Sequence, residues 1–119
     1  RQGDQRESDG RPQPERWEDR LLRCRSCRFP VTSIAFGIEI QGSHGHTFPN
    51  PHGMVFQIAC FARATGCMRQ GTATDAFSWF PGYKWCFALC RNCRTHLGWF
   101  YSSTAGRSFF GLITTKLFE

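Results

Sequence analysis

No stretch of this 119-residue chain is apolar for the ~18 to 20 residues a membrane-spanning helix requires, and no charged segment followed by an apolar one opens it. Those absences predict a soluble, cytoplasmic protein without a membrane partner. Acidic side chains are nearly absent after residue 23, where only Glu39, Asp75 and Glu119 face nine Lys or Arg; the net charge of +6 therefore lies entirely in that part. A basic excess can signal nucleic acid, but no basic run alternates with aromatic residues as a strand-binding groove requires, so no nucleic-acid partner is predicted. Four of the cations, Arg25, Arg28, Arg91 and Arg94, sit in or beside two cysteine pairs, where they can offset thiolate charge around a metal.

An even number of cysteines is also missing. Seven cysteines do not make a fully paired disulfide framework, and four of them fall in two Cys-x-x-Cys units, Cys24/Cys27 and Cys90/Cys93. That spacing lets two thiolates converge on one tetrahedral ion, so the four are expected to bind one structural Zn2+ with no coordination position left for water. The 62 residues from 28 to 89 exceed the about 15 to 20 of a zinc ribbon, so the ion would fasten the ends of a domain-sized insertion. A redox dithiol is the competing reading, and it leaves the second pair unexplained. Cys60, Cys67 and Cys86 read as small buried side chains.

Residues 1 to 20 are polar, mixed in charge and almost without apolar side chains, which predicts a flexible tail; residues 21 to 119 form the domain. Trp17 to Arg23 reads as a short helical turn. Phe29 to Ile40 and Met54 to Ala64 read as extended, Thr65 to Ala76 as a polar loop, and Trp85 to Leu89 as an alternating strand. With 12 Phe and 12 Gly, the chain is expected to be mainly β.

What is abundant is tryptophan in one place. Phe77 to Tyr101 holds three of the four tryptophans, Trp79, Trp85 and Trp99, around a Pro81-Gly82 turn and the second cysteine pair. On a strand Trp99 and Tyr101 share a face while Phe100 turns away. From spacing alone this is equally a plain aromatic core or a box of rings for a flat or compact ligand. Asn50 and His52 lie between and beside Pro49 and Pro51, which stiffen their loop.

Asn50-Pro51-His52-Gly53, Ser78-Trp79-Phe80-Pro81-Gly82-Tyr83-x-Trp85, Cys90-x-x-Cys93, His96-x-Gly98-Trp99-x-Tyr101 and Phe109-x-Gly111-Leu112 together closely resemble the thalidomide-binding, or CULT, domain of the cereblon family. The match covers about residues 22 to 119 and looks like the short, stand-alone bacterial members, with no ubiquitin-ligase adaptor region in this chain. The resemblance implies a β-tent of two antiparallel sheets pinned by one zinc. It also implies a pocket in which Trp79, Trp85 and Trp99 wall a glutarimide, uracil-like or other cyclic imide, or a peptide carrying one. Backbone groups at Phe77 and Trp79 would hold the imide edge, Tyr101 would close the cage where the eukaryotic domain has Phe, and Asn50 would border it. Ala76-Phe77 stands where the eukaryotic domain has Glu-His, so contacts to larger ligand substituents are expected to differ.

Two rivals stand beside this reading. An aromatic cage for a methylated ammonium would gain from cation–π attraction and would also want a carboxylate, for which only Asp75 is near. A methionine sulfoxide reductase of the B type shares two cysteine knuckles and His96-Leu97-Gly98, but needs a nucleophilic Cys after that motif, and the last cysteine is Cys93. No catalytic residue and no enzymatic activity are predicted.

Overall fold

The computed structural model describes residues 20–119, and the expectations for the tail and for Trp17 lie outside them. Nine strands follow in order: β1 (Leu21–Cys24), β2 (Pro30–Ser33), β3 (Gly45–Pro49), β4 (Val55–Phe61), β5 (Cys67–Thr74), β6 (Tyr83–Cys90), β7 (His96–Ser103), β8 (Ser108–Ile113) and β9 (Leu117–Phe118). They form two antiparallel sheets, a small one in the order β2-β1-β9 and a large one in the order β3-β4-β8-β7-β6-β5. The protein is mainly β, as its composition predicts. No helix of the described residues is long and apolar enough to cross a membrane.

Strand alternation divides the apolar side chains of the large sheet between two clusters. Ala59 and Phe61 of β4, Ala88 of β6 and Leu112 of β8 pack with Cys24, Val31 and Leu117 of the small sheet. Their neighbours Ile58, Cys60, Phe109 and Ile113 face the other way, into a second cluster with Phe80, Trp99 and Tyr101. One face of the large sheet thus builds the junction between sheets, and the other supports the aromatic residues.

Three segments differ from their sequence reading. Leu21 and Leu22 belong to a strand rather than a helical turn, because their backbone pairs with Ser33 and Thr32. The Phe29 to Ile40 run is broken after Ser33: its hydroxyl accepts from the Ala35 amide at 3.1 Å and starts a 3-10 turn at Ile34–Phe36, which closes as the Gly37 amide donates to the Ile34 carbonyl. Residues 67 to 74, polar and expected to loop, form β5. As the edge of the large sheet it carries no buried face beyond Cys67, so its composition gives no alternation to read.

β7 contains a register shift: Leu89 pairs with His96 but Ala88 pairs with Gly98, leaving Leu97 unmatched. This bulge sends Leu97 into the inter-sheet cluster while His96 and Trp99, three residues apart, meet with ring centroids 5.0 Å apart. Gly98 permits it, since a Cβ there would stand 2.1 Å from the Gly111 carbonyl oxygen of β8.

Candidate functional site: an aromatic cavity and a four-cysteine cluster

Asn50, Pro51, His52, Phe56, Phe77, Trp79, Trp85, Phe87, Trp99 and Tyr101 line one cavity of about 540 Å³. All six ligand-contact candidates from the sequence are among them. Pro51, Phe56 and Phe87 join them, as does His52, which the sequence singles out only by its rigid loop. Phe56 and Phe87 could have been found by alternation: Phe56 shares a face with Ile58, and Phe87 with Trp85. Seven of these ten residues are Phe, Trp or Tyr, and none is Asp, Glu, Lys or Arg.

The strands set the rings. Trp85 of β6 pairs with Tyr101 of β7, and Phe87 with Trp99, so the four project from adjacent positions of one face. Trp79 comes from the β5–β6 connection. Its ring meets Trp99 edge to face at 4.8 Å and stacks on Phe48 at 5.1 Å, fixing it between sheet and loop. Phe80, fully buried, turns its edges to Phe48, Tyr101 and Phe109 and anchors that connection in the second cluster. Trp85 makes its ring contact with Phe87 at 5.2 Å rather than with the other two tryptophans.

Two of the indole N–H groups are already used. Trp79 Nε1 donates to the Pro49 carbonyl at 2.8 Å and Trp85 Nε1 to the Ala76 carbonyl at 2.8 Å, so each ring tethers one cavity loop. In the first loop Asn50 Oδ1 accepts from the amides of His52 (3.0 Å) and Met54 (2.8 Å), while its own amide donates to the Met54 carbonyl. Asn50 therefore borders the cavity and also shapes the loop, with its side-chain oxygen turned inward on the backbone.

In the second loop the Ser78 amide donates to the Asp75 carbonyl, closing a tight turn that holds Phe77 at φ 58, a left-handed conformation uncommon for a bulky residue. The Phe77 side chain is 75% exposed at the cavity edge. Ala76 N, Ala76 O, Ser78 N, Phe80 N and Phe80 O are all hydrogen-bonded. The amides of Phe77 and Trp79 and the carbonyls of Phe77, Ser78 and Trp79 have no hydrogen bond to any other described residue. These groups belong to a segment of which Phe77 and Trp79 line the cavity.

Burial and ring packing shape the remaining polar groups. His96 Nε2 donates to the Gly98 carbonyl at 2.9 Å, and burial, reinforced by Lys116, holds the imidazole pKa below its usual range despite that bond. Tyr101 is 2% exposed, stacks on Phe109 at 4.9 Å, and burial pushes its phenol pKa up. Its hydroxyl has no hydrogen bond to another described residue.

The four sulfurs of Cys24, Cys27, Cys90 and Cys93 lie within 4.8 Å of one another. Four thiolates at ~2.3 Å from one tetrahedral ion stand ~3.8 Å apart. The Cys24–Cys93 and Cys27–Cys90 separations of 3.7 and 3.6 Å match that edge, so the cluster fits one metal ion. Cys24 ends β1 and Cys90 ends β6, so such an ion would join the two sheets.

The two knuckles share one local structure. In each, the residue after the second cysteine, Arg28 (φ 70) or Arg94 (φ 66), is left-handed and its amide donates to the carbonyl of the first cysteine. The arginine after the first cysteine reaches outward. Arg25 donates to the carbonyls of Thr115 and Leu117, and Arg91 to those of Thr65 and Cys67, which clamps each knuckle to a neighbouring segment. Thr95 Oγ1 lies 3.0 Å from Cys93 Sγ, and its hydroxyl and amide lower the thiol pKa to about 6. Cys60, Cys67 and Cys86 are not among the four clustered sulfurs, although Cys67 pairs with Cys90 across β5 and β6. Burial raises the first two to about 11 and about 12, and it raises Cys86 as well.

No family model matches the chain. It is similar to the protein cereblon of Danio rerio, 34% identical over 85 residues that cover 69% of this chain and 20% of that protein. The cereblon of Xenopus tropicalis is 30% identical over 105 residues, covering 81% of this chain and 23% of its own length. The Gallus gallus protein is 28% identical over 99 residues, covering 80% and 22%. The chain spans about a fifth of the length of these curated relatives.

Proposed function

We propose that this chain, a cereblon-like domain of the CULT type, is a small-molecule binding module for a glutarimide, uracil-like or other cyclic imide, and that its four-cysteine cluster holds one structural zinc. The observation that carries the reading is the run of unbonded backbone groups at Phe77 to Trp79 beside the rings, the Phe77 carbonyl and the Trp79 amide among them. An imide presents an N–H between two carbonyls; the Phe77 carbonyl can accept the first and the Trp79 amide can donate to one of the second. Trp79, Trp85 and Trp99 offer flat faces to the ring, Tyr101 its closed end and Asn50 its border. Because two indole N–H groups are engaged elsewhere, orientation comes from the backbone and affinity from ring contact, each aromatic contact contributing about 0.5 to 1.5 kcal/mol beyond burial.

The reaction is equilibrium binding, without catalysis. Cys93 belongs to the cysteine cluster, and the sequence contains no cysteine after it, so the reductase nucleophile has no counterpart. A methylated ammonium is disfavoured because no carboxylate lines the cavity.

Titration of tryptophan fluorescence with glutarimide, uracil and trimethyl-lysine tests the reading. Saturable quenching by the imides is expected. Response to the cation alone would reverse the order of the two ligands. Trp79→Ala, Trp85→Ala and Trp99→Ala should each remove most imide binding while metal analysis still returns one zinc per chain.

A further inference from the structure

The large sheet has a second recess, away from the aromatic cavity. On β7 and β8, Trp99, Tyr101 and Phe109 point to the cavity side, so Phe100 and Phe110 point to the opposite face. There, Phe100, Phe110 and Met68 floor a groove of about 670 Å³, whose walls carry Arg63, Arg69 and Arg91.

This groove is basic and its cations are partly fixed. The Arg69 guanidinium lies 4.5 Å from the Phe100 ring centroid, and Arg63 lies 5.8 Å from that of Phe36. Arg91 is held by its bonds to the Thr65 and Cys67 carbonyls. Among the described residues, the ion pair is Arg20 with Glu119, and no carboxylate lies within 4.0 Å of the three groove arginines. Arg91 sits beside the cysteine cluster, whose thiolates it can offset, so among the described residues it is Arg63 and Arg69 that stand over an apolar floor without a carboxylate partner.

We propose that this groove docks an acidic, extended peptide segment of a partner protein. Carboxylates would meet Arg63 and Arg69, whose planar forks suit them. Apolar side chains between those carboxylates would cover Met68 and Phe110. Single-stranded nucleic acid shares the negative charge but needs open ring faces for its bases, and here Arg69 covers Phe100 while Phe110 leans against that ring at 4.9 Å.

The probe is a short fluorescein-labelled peptide of alternating glutamate and leucine, followed by anisotropy with the full chain at low salt. Saturable binding is expected, weakening with added salt, and a peptide of alternating glutamine and leucine should bind far less. R63Q and R69Q should each weaken binding about two- to fivefold, and the double variant more, with the chain still folded and its metal content unchanged. The proposal is overturned if the glutamate peptide does not bind, if the glutamine peptide binds equally, if neither variant weakens binding, or if oligothymidylate binds more tightly than the peptide.

Discussion

His96 is half-buried, with Phe87 and Trp99 meeting its ring edge to face and the Gly98 carbonyl accepting from Nε2. Its depressed folded-state pKa means that the unfolded chain takes up the proton first as pH falls. The neutral ring thus contributes stability that is complete above the unfolded value of 6.5, declines as pH drops through it, and is gone below the folded value. H96Q keeps a donor for Gly98 and removes the titration. The difference in thermal midpoint between the original chain and this variant is therefore expected to shrink from about pH 7.5 to about pH 5.5; a constant difference refutes the assignment. Tyr101 gives a simpler test. A buried hydroxyl without a partner costs about 1 to 3 kcal/mol, so Y101F is expected to retain or raise the urea midpoint while keeping the stack on Phe109.

At the scale of elements, the cavity depends on two loops and one bulge. Asn50 organises its loop through Oδ1, an acceptor that Asp also supplies and Ala lacks. N50D is accordingly expected to keep imide affinity within about twofold, and N50A to lose at least about fivefold, the cost of roughly 1 kcal/mol for an unmade hydrogen bond. Equal losses in the two variants, read by fluorescence titration, would assign Asn50 a direct contact through its amide instead. At Gly98 a methyl group would stand 2.1 Å from the Gly111 carbonyl oxygen, so there is no room for one. G98A is expected to destabilise by at least about 2 kcal/mol in urea unfolding, since the two backbones must separate.

For the whole molecule a metal ion held by the cysteine cluster would be the joint between sheets, because Cys24 ends β1 in one and Cys90 ends β6 in the other. Binding of such an ion would then be part of the folding free energy. Chelation is expected to lower the thermal midpoint sharply and to abolish imide binding, although no cysteine lines the cavity. Loss of the metal with both properties intact would disprove the coupling. In the loaded chain Cys60, Cys67 and Cys86 should resist thiol reagents at neutral pH until unfolding, as burial keeps them protonated.

The sequence by itself determined the features that rest on local chemistry. Two Cys-x-x-Cys units name the four sulfurs that converge, because knuckle geometry depends on a few consecutive residues. Alternation in β6 sorted its side chains onto two faces, and the resemblance carried by the motifs from Asn50 to Tyr101 pointed to six residues that line one cavity. Tertiary structure decided what depends on distant backbone. The polar edge strand β5 forms only because β6 lies beside it, and the turn after Ser33 competes with a strand that its apolar residues favour. The bulge at Leu97 brings His96 to Trp99 against period-two alternation, because β8 presses on Gly98. The indole donors of Trp79 and Trp85 reach the carbonyls of Pro49 and Ala76, thirty and nine residues away, and tie the two cavity loops to the rings. Which hydrogen bonds are left unmade is a property of the assembled chain, since each group is satisfied or not by what folding brings to it.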